Sequence, residues 1–152
     1  MSEAVYVKVA FELEQDENGY PPEEWETLWA SEVEDGLCCL DNIPFFARGV
    51  SPGDVVRVRR EGGSRIFEEV VRPSRNSVFQ VYLTDEKDMP AARAAFGNLG
   101  CESELSNLPK LFAFEVPGDI SFDPVAALLT EGIDSGRWDF EEASLRHPLP
   151  TI

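Results

Sequence analysis

Between Val5 and Glu14 apolar and polar side chains alternate. Val5, Val7, Val9, Phe11 and Leu13 fall on one face, and Tyr6, Lys8, Ala10, Glu12 and Glu14 on the other. A period of two predicts a half-buried strand. Asn18-Gly19 and Pro21-Pro22 then end any regular element. ETLWASEV and LCCLDNIPFF flank Asp35-Gly36, a hairpin signal, and DVVRVRR and RIFEEVV flank EGGS, another. About five strands with tight turns are expected over residues 4–72. Five short strands close more easily than they sandwich, so a small antiparallel barrel or curled sheet is expected.

After RPSRN the pattern changes. SVFQVYL (77–83) predicts a strand, and Asp85 to Gly100 a helix, with Met89, Ala92, Phe96 and Leu99 at helical spacing. Cys101 to Ser106 and KLFAFEV (110–116) predict two more strands. Asp123-Pro124 reads as an N-cap followed by proline at the first helical position, and Val125, Leu128 and Leu129 give that helix an apolar stripe. RWDFEEA (137–143) predicts a last strand, and the tail LRHPLPTI is expected to be irregular. The order β-α-β-β-α-β is the ferredoxin-like arrangement. The expected class is therefore α+β: a small barrel-like lobe over 1–74 and a ferredoxin-like lobe over 75–152, joined near Pro73-Ser74-Arg75-Asn76 and packed as one compact unit.

Charge changes the picture of what the chain can bind. The 152 residues carry a formal net charge of −16. Residues 1–47 hold twelve acids and one Lys, residues 48–75 seven Arg and four acids, and residues 76–152 thirteen acids and five bases. Such a chain repels phosphates, so nucleic acid and anionic membranes are not expected partners. The arginine island (Arg57, Arg59, Arg60, Arg65, Arg72) is expected to serve as internal counter-charge across strands. Three cysteines, two of them adjacent (Cys38, Cys39, Cys101), give no metal spacing and suit a reduced cytosolic chain. The first residues, MSEAVYVKV, contain neither a basic nor an apolar leader region, and no run approaches the roughly 18 apolar residues of a membrane span. A cytoplasmic location is the expectation.

Candidate chemistry is sparse. His147 stands alone before a proline, and no nucleophile elbow, P-loop or zinc-binding helix motif is present. Leu37 and Leu40 give Cys38 and Cys39 no activating surroundings. Glu14, Asp16, Asn18 and Gly19 imitate the start of an EF-hand loop, but position 12 falls on Trp25 and prolines interrupt the loop. Glu68-Glu69 and Glu141-Glu142 point to opposite faces of their strands. No cofactor, metal or catalytic residue is expected.

The remaining feature is ELEQDENGYPPEEWE (12–26), with seven acids and no Lys or Arg. Acids steer a basic partner, and exposed aromatics anchor it. The candidate partner-binding residues are Glu14, Asp16, Glu17, Tyr20, Glu23, Glu24 and Trp25, with Glu32, Glu34 and Asp35 as outer contributors. Trp29, inside a strand, is expected in the core.

LDNIPFFARGVSPGDVVRVRR (40–60) and RIFEEVVRPSRNSVFQVYL (65–83) resemble the bacterial domain-of-unknown-function 4265 family. The resemblance runs from about Val5 to Glu142 and implies no activity. Read directly, Ile43, Phe45 and Phe46 are expected to plug the core, and Gly49, Pro52 and Gly53 to turn the chain. The acidic loop and the double cysteine look like departures. The expected function is a non-enzymatic immunity protein that neutralises a cognate bacterial toxin by covering its basic active-site cleft. The alternatives are a homodimeric small-molecule-sensing domain and a carboxylate enzyme, the latter requiring a pocket with two perturbed acids.

Overall fold

The computed structural model describes residues 5–149. Contacts divide the chain into two units, Met1–Ser74 and Arg75–Ile152.

The first unit is a curled sheet of five strands: β1 (Tyr6–Glu12), β2 (Trp25–Glu34), β3 (Leu37–Leu40), β4 (Val55–Glu61) and β5 (Ser64–Arg72). Sequential strands pair antiparallel, and the sheet closes through β1 and β5. That last pair is parallel, Val9 opposite Arg65 and Ala10 opposite Ile66, so closure is not antiparallel throughout. Register shifts between Glu32 and Glu34 on β2, and twice along β4–β5, mark bulges that sharpen the curl. The hairpin turns lie at Gly36 and at Gly62-Gly63, all with positive φ, which glycine adopts without Cβ strain. The barrel is filled by small side chains: Val7, Val9, Leu28, Ala30, Cys38, Leu40, Ala47, Val50, Val56 and Val58, with Phe11 stacked on Phe67 at 4.7 Å.

The second unit is a four-stranded antiparallel sheet with two helices. Its elements are β6 (Ser77–Leu83), a 3-10 turn (Glu86–Asp88), α1 (Met89–Gly97), β7 (Glu102–Leu105), β8 (Leu111–Val116), α2 (Asp123–Asp134) and β9 (Trp138–Ser144), and the strand order is β7-β8-β6-β9. Its core is aromatic: Phe96 stacks on Phe114 at 4.2 Å, and Phe79 on Phe114 and Phe122, both at 5.5 Å. Val125 and Leu129 of α2 and Trp138 of β9 complete it. A Cβ on Gly132 would lie 1.9 Å from the Trp138 ring, so α2 reaches the sheet only because that residue is glycine. Two helix details differ from expectation. The single predicted helix over 85–100 splits into the 3-10 turn, capped by Asp85, and α1. The N-cap of α2 is Phe122, one residue earlier than predicted, without a side-chain cap.

The tail is irregular through residue 149, yet it is fastened. Ser77 Oγ and His147 Nδ1 are 2.6 Å apart, His147 Nε2 lies 2.9 Å from the Pro117 carbonyl oxygen, and the Arg146 amide donates to Ser77 Oγ.

Candidate functional site

The acidic stretch folds as an ordered loop between β1 and β2. The Leu13 amide donates to the Glu24 carbonyl at 2.8 Å and closes its base. Inside it, Asp16 Oδ1 accepts from the amides of Asn18 and Tyr20, at 2.9 and 3.0 Å. Gln15 Nε2 donates to the Pro21 carbonyl, and the Tyr20 ring meets Phe46 edge-on at 5.9 Å. An aspartate that bonds amides two and four residues ahead holds its own turn. Asp16, itself exposed, and Tyr20, both candidate partner contacts, also build the loop. Glu14, Glu17, Glu23 and Glu24 remain exposed on it, beside Trp25 at the start of β2.

The outer contributors are elsewhere. Glu34 and Asp35 sit at the far end of β2, about 30 Å along the strand from Trp25 at ~3.3 Å per residue. Glu32 pairs with Arg65 at 3.1 Å. The predicted site thus divides into a loop cluster (Glu14, Glu17, Glu23, Glu24, Trp25) and a separate turn at the opposite end of the strand.

Sequence reasoning missed a neighbour. Trp29 is not in the core: it is 47% exposed, with Trp25 at 43% and Tyr6 at 61%. The cause is strand phase. Leu28 and Ala30 point into the barrel, so Trp25, Thr27 and Trp29 must point out. Across the ribbon, Trp25 faces Glu12 and Trp29 faces Lys8, whose Nζ sits 5.0 Å from the Trp29 ring centre. The alternation of Leu28 and Ala30 was the available signal.

Three polar side chains fasten the backbone behind this surface. Glu26 accepts from the amides of Phe45, Phe46 and Ala47, at 2.7, 3.1 and 2.8 Å. Burial pushes its carboxyl above the usual range, and the three amides pull it partly back. Asn42 Oδ1 accepts from the Trp29 amide at 2.6 Å. Asp54, fully buried, accepts from the amides of Ser51 and Ser74, at 2.9 and 2.7 Å. Between these anchors, Ile43, Ala47 and Val50 are buried, whereas Phe45 and Phe46 are only half-buried and do not plug the core.

The sequence pattern of the family described as Domain of unknown function (DUF4265) matches residues 26–140. The chain belongs to the DUF4265 family. Glu26, Asn42 and Asp54 all lie within the DUF4265 match, as do Cys38 and Cys39, while the acidic loop through Trp25 precedes it. A solved structure, titled a novel crystal structure of a hypothetical protein from Neisseria gonorrhoeae, is similar in fold, with a TM-score of 0.76 at 19% identity, covering 95% of this chain and 98% of that one. No curated protein matches the sequence.

The rest of this DUF4265 protein offers little reactive chemistry. Cys38 faces the barrel core, Cys39 is half-buried, and burial raises both thiols. Burial, then Glu115, pushes Cys101 to about 12. Glu115 itself is pushed to about 7 by burial and by Glu102, its cross-strand partner. His147 has both ring nitrogens engaged in the tail fastening. A shallow depression along α2, lined by Asp123, Ala126, Thr130 and Asp134 among others, contains neither Glu26 nor Glu115, whose carboxyls are shifted upward. Among the described residues no group of three His, Cys, Asp or Glu is placed to hold a metal, and no helix is long and apolar enough to cross a membrane.

Within the arginine island, Arg57, Arg59 and Arg65 pair with acids, though not only across strands. Arg57 bonds Glu69 on the facing strand at 3.2 Å, and Arg59 bonds Glu61 on its own strand at 3.2 Å. Exposed pairs of this kind contribute about 0–1 kcal/mol each. They matter more for neutralising the basic hairpin than for stability.

Proposed function

We propose that this protein is a non-enzymatic binding protein whose acidic loop docks a basic protein partner, in the specific form of an immunity protein covering the basic active-site cleft of a cognate bacterial toxin. One observation carries the reading. An internally bonded loop presents Glu14, Glu17, Glu23 and Glu24 to solvent around Trp25, and no Lys or Arg occurs between Lys8 and Arg48. A preformed loop loses little entropy on docking, and its charges steer encounter with a basic surface. For the second unit we read the order β7-β8-β6-β9 as the ferredoxin-like arrangement, which concerns shape and assigns no activity.

The test is affinity capture at low and high salt by the native chain and by a variant with Glu14, Glu17, Glu23 and Glu24 all changed to Lys. The captured protein is then identified and co-expressed with this chain. The expected result is one stoichiometric partner, lost at high salt and lost by the variant, whose toxicity the native chain suppresses. Undiminished capture by the variant overturns the loop as the interface, and unsuppressed toxicity overturns the immunity role.

A further inference from the structure

The loop accounts for the acids but not for the aromatic side chains beside them. Tyr6, Trp25 and Trp29 lie on the outward face of the β1–β2 ribbon. Large rings at solvent need an explanation when they cluster on one strand face beside a charged rim.

We propose that this face is a cation-anchoring strip, on which a basic, extended segment of the partner lays Arg or Lys side chains over the indoles of Trp25 and Trp29 while the loop acids neutralise its remaining charge. This deepens the docking function proposed above and rests on it. Lys8 Nζ sits 5.0 Å from the Trp29 ring centre, so this indole takes a cation, and a partner guanidinium displaces the exposed Lys8 from it. Trp25 has a carboxylate, Glu12, in the corresponding cross-strand place. An indole beside a carboxylate offers a guanidinium both a π-face and a counter-charge. The two indoles are four residues apart on one strand, about 13 Å. Side chains four apart in an extended peptide have the same spacing and direction, so an Arg-x-x-x-Arg segment matches the strip.

Charge complementarity selects this occupant. A second copy of the chain, at net −16, would bring its own acids against Glu14, Glu23 and Glu24. A phosphate backbone would meet the same repulsion.

Nona-arginine is the probe, titrated into the full chain labelled on its indole nitrogens and followed by NMR. Trp138 is the internal control, because it is buried and its Nε1–H donates to the Leu129 carbonyl oxygen. The expected result is movement of the Trp25 and Trp29 indole signals with Trp138 unmoved, and affinity at least about fivefold weaker in the double variant Trp25→Ala, Trp29→Ala. Binding that leaves both exposed indoles unmoved, yet disappears in the four-Lys loop variant, overturns the strip and leaves acidic docking standing. Absence of binding overturns both. Indole shifts that grow with protein concentration before peptide is added assign the face to a second copy and overturn the proposal.

Discussion

Trp29 and Trp138 are the same side chain in two different settings. Each lies in a β-strand and each has a cation over its ring, Lys8 at 5.0 Å and Arg137 at 4.6 Å. Trp29 stands outside the barrel unit, half in water. Trp138 is buried in the α+β unit, against Gly132 of α2, with its indole N–H satisfied by Leu129. The difference is the cover. The barrel buries only its interior, so every second residue of β2 faces away from that core. The second unit lays a helix on its sheet, and a glycine in that helix makes room for the indole. The two units also keep polar groups differently. In the barrel unit the carboxylates of Glu26 and Asp54 and the side-chain amide of Asn42 hold loop backbone, while in the second unit the uncharged side chains of Asn76 and Ser77 and the imidazole of His147 hold a turn and the tail.

The comparison breaks most directly at the two indoles. Trp138→Ala should lower unfolding free energy by about 3–5 kcal/mol, because it opens a cavity under α2. Trp29→Ala should cost about 0.5 kcal/mol or less, as a surface change does. Urea unfolding followed by circular dichroism checks both, and equal losses would mean that Trp29 carries structural weight its exposure does not suggest. Next in size, Asp54→Ala should cost about 2–3 kcal/mol, since it orphans the amides of Ser51 and Ser74. The same unfolding measurement tests this, and a near-neutral result would show that the loops of the barrel unit are not held by their carboxylates.

A pH dependence singles out the second unit. Glu115 holds its proton more tightly when folded, at about 7 against an ordinary 4.5. Between those values the folded state binds more protons than the unfolded state, so stability falls as pH rises from about 4.5 to about 7. Glu115→Gln should remove that part of the slope and raise stability above pH 7, as measured by unfolding midpoints across the range. Glu26 is shifted in the same direction and should leave a residual slope of the same sign. An unchanged slope in the variant would show that Glu115 ionises as freely in the fold as out of it.

Most elements were legible from periodicity. SVFQVYL became β6 with the same bounds, and the Asp35-Gly36 and Gly62-Gly63 turns lie where glycine is needed at positive φ. Details that depend on more than one element were less legible. Asp16 looks like a free surface acid in the sequence, but its carboxylate meets amides two and four residues on. Glu32 looks like part of the acidic front, but closure of the sheet brings Arg65 to it from 33 residues away. Phe45 and Phe46 look like core residues, but Glu26 grips their amides and leaves their rings half-buried.

By itself, then, the sequence determined the strand and helix periods, the sites of the tight turns, the acid-rich N-terminal stretch and the family. Each of these depends on residues close in the chain, whose spacing shows which side chains share a face. The tertiary structure alone decided which face of β2 turned outward, which acids stayed free and how far apart the predicted contacts lie. Those depend on register and closure, and a one-residue change of phase moves a tryptophan from core to solvent.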